Sequence, residues 1–267
     1  MSNLRINLHR DRFMKSVLIF KLIASFTIIV SIFFYICPFP GSSDELPEPS
    51  WVYKGRGDRY FRSGEYGRAI AEYKKAIIKR AQETNETSPG GGYPEVHFKL
   101  AIIYKNEGLL ELAMKEILVA ENKKEFLQIQ DEIYDIMNTK AELYLERGRV
   151  SESMAIYEQI INMDYNWEDY SKRDFTDITK DELVAFGKNL ELRSKYGKAY
   201  FSIGELKFLS NNDTAAEPYL KMAFLYNYER KKAKGYLISY YKNTGRSYVV
   251  QKIEEYDSIL KPVSTIP

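Results

Sequence analysis

The stretch Tyr53-x3-Gly57-x2-Tyr60-x3-Gly64-x4-Ala69-x3-Tyr73-x2-Ala76 decides how this chain is read. Small residues at Gly57, Ala69 and Ala76 stand between bulky ones at Tyr53, Tyr60 and Tyr73. Two helices can cross closely only where the contact residues are small, while large side chains fill the neighbouring grooves. Gly64 falls where the first helix must stop, since glycine accepts the left-handed conformation that ends a helix. The same offsets return in His97, Leu100, Ala101, Tyr104, Gly108, Ala113, Ile117 and Ala120. They return again in Met137, Ala141, Tyr144, Gly148, Ser153, Tyr157 and Ile160. A fourth copy runs through Tyr200, Ile203, Gly204, Ala216, Tyr219 and Ala223, departing from the pattern at Lys207 and at Asn211. Asn also tolerates the left-handed region, so a turn at Asn211 is retained. A fifth, degenerate pair is expected around Leu237, Tyr241, Gly245 and Val250.

With Gly245 placed 34 residues after Asn211, the chain resembles the tetratricopeptide repeat (TPR) family, whose period is about 34 residues. The resemblance implies an all-α fold: a helical solenoid of about four to five helix-turn-helix repeats over residues 51–260, followed by a tail at 261–267. Each repeat buries its core only against its neighbours, and a concave surface results. Two inserts interrupt the register, at residues 84–93 and 164–195. The first has flexible turn chemistry in Asn85–Gly92. The second opens as a polar loop, expected to be solvated. Its Thr179-x2-Glu182 then predicts a capping box that starts a helix running through Val184, Leu190 and Leu192.

The resemblance further implies a protein partner, a peptide segment or helix, held on the concave face by the first helix of each repeat, with no cofactor and no enzymatic activity. The family's concave positions fall on Lys54, Asp58, Phe61 and Arg62, then Phe98, Ile102, Lys105 and Asn106. They continue with Asn138, Glu142 and Leu145, and with Phe201, Glu205 and Phe208. Lys54 fits the Lys/Asn clamp by which some members grip a C-terminal carboxylate. Asp58 stands where that clamp needs Asn, so carboxylate capture is not expected. Any of the Phe residues can instead be packed between repeats.

Residues 16–37 are apolar except for Lys21 and a few hydroxyls, and about 20 such residues suffice to cross a bilayer. Arg5, Arg10, Arg12 and Lys15 precede the run, whereas no Lys or Arg follows before Lys54. The positive-inside rule then predicts a transmembrane signal anchor with residues 1–15 in the cytosol and the repeats in the periplasm of a bacterial inner membrane. A cleaved signal peptide is the second reading, although the apolar run exceeds the usual 7–15 residues. Lipidation at Cys37 is the third, against which Phe34-Tyr35-Ile36 lacks small residues. Residues 38–50 contain four prolines and predict an extended spacer, with Ser50 as the N-cap of the first helix.

The remaining inventory excludes more than it assigns. His9 and His97 are the only histidines and Cys37 the only cysteine. They cannot supply a histidine pair, a Cys-rich metal site or an intramolecular disulfide, and no catalytic constellation was found. Asp164-x-Asn166-x-Glu168-Asp169 begins like a calcium loop, but it has Asp169 where Gly belongs and Phe175 where the bidentate Glu belongs. Gly55-Arg56-Gly57 lacks the spacing of a nucleotide fingerprint. Asn85-Glu86-Thr87 and Asn212-Asp213-Thr214 match glycosylation sequons, read as coincidence in a bacterial envelope. The N-terminal segment carries +4 of the formal total of +2, leaving −2 on the rest. Such a surface is a poor non-specific ligand for nucleic acid.

Overall fold

In the computed structural model, residues 48–84 and 92–260 are described. The expected anchor at 16–37, with Cys37 and the tail before it, lies outside them, as do most of the first insert and residues 261–267. Among the described residues no helix is long and apolar enough to cross a membrane. These residues are all-α, with twelve α-helices and no strand.

The helices pair two by two, as the spacing requires: α1 (Ser50–Arg62) with α2 (Tyr66–Thr84), and α3 (Pro94–Asn106) with α4 (Leu110–Asn122). Next come α5 (Glu132–Glu146) with α6 (Val150–Ile161). After the second insert, α9 (Leu190–Leu209) pairs with α10 (Asp213–Leu225), and α11 (Arg230–Asn243) with α12 (Ser247–Ile259). Every pair turns at a left-handed residue: Gly64, Gly108, Gly148, Asn211 and Gly245, with φ between 57° and 76°. Behind each lies the same closing bond, from the next residue's N–H to the carbonyl five residues earlier. Glu65 donates to Tyr60, Leu109 to Tyr104, Arg149 to Tyr144, Asn212 to Lys207 and Arg246 to Tyr241, at 2.8–3.0 Å. This is the Schellman closure, which satisfies carbonyls the helix leaves free.

Small residues mark the crossings. A Cβ on Gly57 would lie 2.5 Å from the Tyr73 ring, and one on Gly204 would lie 2.7 Å from Leu220. Ala101 and Ala141 fill the equivalent position in the second and third repeats, and both are fully buried with Ala69 and Ala113. The third pair joins two hydrophobic clusters: Ile136 and Leu143 of α5 pack with the first two pairs, while Met137 and Ala141 pack with everything C-terminal. Nearest-neighbour stacking of this kind makes stability a sum over adjacent repeats.

Three local expectations need correction. Ser50 is not the N-cap: Pro49 holds that position, and Ser50 Oγ donates to Glu83 Oε2 of α2 at 2.5 Å. The capping box is present, with Thr179 Oγ1 accepting from Glu182 N at 3.2 Å and the Glu182 carboxylate reaching back. Its helix, however, is the short α8 (Lys180–Lys188), following a four-residue α7 (Trp167–Tyr170). The chain breaks at Asn189, whose Oδ1 accepts from Leu192 N at 3.1 Å and starts α9, so Leu190 and Leu192 belong to the fourth repeat.

The third correction is the insert itself, which is core rather than solvated loop. Phe175 is fully buried between Phe224 and Tyr256, both rings 5.6 Å away. Lys221, 1% exposed, donates to the carbonyls of Ser171 and Arg173 at 3.2 and 2.6 Å. Asp174 pairs with Arg246, and Tyr256 donates to the Ile178 carbonyl. The insert thus packs against α10 and α12, the second helices of the last two pairs. Its aromatic residues gain more by burial than by exposure.

Candidate protein-binding face

The first helices α1, α3, α5, α9 and α11 carry the expected face. Lys54, Asp58, Phe61, Phe98, Ile102, Lys105, Glu142, Leu145, Glu205 and Phe208 are half-buried, and Arg62 and Asn106 are exposed. A continuous band of half-buried polar and apolar groups is what a groove for a peptide requires. Two positions depart from this. Asn138 is buried, and Phe201 is buried with its ring 6.3 Å from Tyr228 and 6.5 Å from Tyr236. Both are packing residues.

The polar members bind one another across repeats. Asp58 of α1 accepts from Lys99 of α3 at 2.7 Å and from the Tyr73 hydroxyl of α2 at 2.8 Å, with Lys54 at 3.3 Å. Lys105 of α3 and Lys198 of α9 both pair with Glu142 of α5. Glu205 of α9 accepts from Tyr236 of α11 at 2.9 Å. A chain of polar contacts therefore crosses all five first helices. Burial opposes the charge on Asp58 and Glu142, but lysine neighbours outweigh it and hold both carboxyls below the usual range. Toward the C-terminal end the face turns aromatic, with Phe208 4.6 Å from Tyr236.

Lys99, Lys198 and Tyr236 were missed from the sequence. The two lysines sit beside the family's concave positions, and their partners lie on another repeat; Tyr236 belongs to the decayed fifth pair, to which no concave positions were carried.

The rejected calcium loop has a different use. Asp164, 4% exposed, accepts the hydroxyls of Tyr200 at 2.8 Å and Tyr226 at 2.5 Å, and Asn166 closes on it at 3.0 Å. Its oxygens hold the insert to α9 and to Tyr226, the residue that closes α10. Burial and this carboxylate raise both phenols. His97 is likewise structural, with Nδ1 2.6 Å from Glu116 of α4. A cavity of about 390 Å³ beside Trp167 and Lys172 lies at the insert, and Phe98, Phe201 and Phe208 do not line it.

Residues 134–166 match the family model of the tetratricopeptide repeat. The match begins inside α5 and runs through α6 into the second insert, so the third helix pair is a tetratricopeptide repeat. No curated protein is significantly similar to the chain. A tetratricopeptide domain points to protein–protein interaction in general.

Proposed function

We propose that this protein is a non-enzymatic scaffold held in the bacterial inner membrane by residues 16–37. Its repeats would lie in the periplasm and grip a partner protein within an envelope assembly for outer-membrane biogenesis, transport, secretion or the flagellar motor. The observation that carries the binding reading is the row of half-buried side chains continued across α1, α3, α5, α9 and α11. A row of that length offers apolar anchors at Ile102, Leu145 and Phe208 between polar groups that set register. The anchor and topology rest on the apolar run and on the one-sided distribution of Arg and Lys before it.

Photo-crosslinking residues placed at Ile102, Leu145 and Phe208 in intact cells test the groove. They are expected to capture a common partner, while the same probe at Ile78 and Leu118, exposed on the second helices α2 and α4, is expected to capture none. Equal capture from both sets would move the interaction off this face. Protease added to spheroplasts should digest the repeats and spare residues 1–15; protected repeats would reverse the topology. The alternative, a small-molecule-binding repeat module associated with a transporter, would be favoured by a deep pocket lined by Phe98, Phe201 and Phe208; it draws no support from the cavity at the insert, which those residues do not line.

A further inference from the structure

Glu95 opens the first turn of α3 and is 3% exposed, yet neither carboxylate oxygen has a hydrogen-bond partner. Among the described residues its one ion pair is with Lys54, at 3.7 Å, and Lys54 is closer to Asp58, at 3.3 Å. The other cation on this part of the face, Lys99, is bound to the same Asp58 at 2.7 Å. Across from Glu95 on α5 stands Glu132, half-buried, whose Oε2 is also buried and unpartnered. Burial raises the Glu132 carboxyl, and the nearby charge of Glu95 raises it further. Asp135, one turn along α5, is exposed at the rim.

Lys54 and Lys99 thus face Glu95, Glu132 and Asp58, and both converge on Asp58; the cation acting on Asp135 is Lys198. Buried carboxylate oxygens without partners are rare in folded proteins, because each forfeits its hydration for nothing. The dipoles at the starts of α3 and α5 offset part of that cost for Glu95 and for Glu132 alike, but they leave the buried oxygens without a hydrogen-bond donor. Further along the face Glu142 is matched by both Lys105 and Lys198. Among the described residues no three His, Cys, Asp or Glu side chains are grouped to hold a metal ion. Two buried carboxyls with unfilled acceptor positions suit a cation that brings several donors.

We propose that Glu95 and Glu132 form a subsite for the guanidinium of an arginine side chain on the partner segment. The inference rests on the groove reading given above and adds the chemistry of one recognised residue. Arginine fits because its planar fork presents five donors to carboxylates arriving from two helices, and it is weakly hydrated. Asp135 at the rim supplies the entry charge.

The test uses the full-length protein with ¹³C-labelled glutamate. The probes are a nine-residue Gly/Ser peptide bearing one central arginine and the same peptide bearing citrulline. The arginine peptide is expected to shift the carboxyl signals of Glu95 and Glu132, and the citrulline peptide to leave them in place. E95Q and E132Q should each weaken the arginine peptide about tenfold or more, the scale of a lost charge-assisted contact. Both variants should also melt no lower than the parent, because each removes a buried carboxylate oxygen that has no hydrogen-bond partner. Equal binding of the two peptides, or undiminished arginine binding in both variants, would overturn the subsite. So would carboxyl shifts that Mg²⁺ or Ca²⁺ alone reproduces. A melt lowered by E95Q with arginine binding intact would make Glu95 a structural charge paired with Lys54. If crosslinking from Ile102, Leu145 and Phe208 persists while the arginine peptide fails, this inference falls and the groove stands; if that crosslinking fails too, the groove falls with it.

Discussion

Replacing Gly57 by Ala would place a methyl 2.5 Å from both Cδ1 and Cε1 of Tyr73. That ring cannot swing aside, because Tyr73 is fully buried and its hydroxyl is held by Asp58 at 2.8 Å. Overpacking of this kind costs about 1–3 kcal/mol, and a rigid neighbour puts Gly57 near the upper end. The helix itself gains about 1 kcal/mol when Ala replaces Gly, so the net loss should be about 2 kcal/mol. Gly55 provides the control within the same helix. It is exposed, with nothing within 4 Å of its added Cβ, so Gly55→Ala should stabilise by about 1 kcal/mol. Two identical substitutions two residues apart are thus expected to differ by about 3 kcal/mol, with opposite signs. Urea unfolding of the parent and both variants, followed by far-UV circular dichroism at matched denaturant, measures that difference. If Gly57→Ala is as stable as Gly55→Ala, α1 and α2 do not cross at Gly57, and the repeat register built on it fails.

Ala69→Leu and Ala113→Leu, both at fully buried positions, should each cost about 1–3 kcal/mol; melts like the parent would contradict the assigned crossings. Asp164→Ala should cost about 3 kcal/mol, since it strands the buried Tyr200 and Tyr226 hydroxyls. A thermal melt reads this loss, and an unchanged melt would mean the insert holds without its carboxylate. Asp58 and Glu142 have folded carboxyls below their ordinary range, so the native state binds fewer protons than the unfolded chain as the pH falls. Their contribution is present above about pH 4 and drains away as the pH drops through that range toward the folded values. Acid unfolding of the parent should show this limb, and Glu142→Gln should flatten it; a limb of equal steepness in the variant would remove Glu142 from the account.

The repeat was legible in the sequence because its signals are local. A left-handed helix stop admits Gly or Asn, and Gly64, Gly108, Gly148, Asn211 and Gly245 all occupy one. A close crossing admits only a small residue, and Gly57 and Gly204 leave no room for a methyl group. The capping box at Thr179 was legible for the same reason, since it is closed within four residues. The end of its helix was not, because Asn189 stops α8 by capping the next helix rather than by any breaker of its own.

What depended on distant partners was decided only by the tertiary structure. Polar character in residues 164–195 suggested solvent, yet Asp164 and Phe175 are buried against groups 36 to 81 residues away, and Lys221 of α10 is buried beneath the insert's carbonyls. Desolvation is paid back there by hydroxyls and carbonyls that no local pattern announces. The concave positions were found by register, but whether each is available was not, since Lys105, Glu142 and Lys198 neutralise one another only once three helices stack. Glu95 and Glu132 are ordinary acidic residues in the sequence; that Glu95 and the Glu132 Oε2 have no hydrogen-bond partner is a property of the fold alone, because hydrogen bonding is settled by what folding brings within 3.5 Å or so.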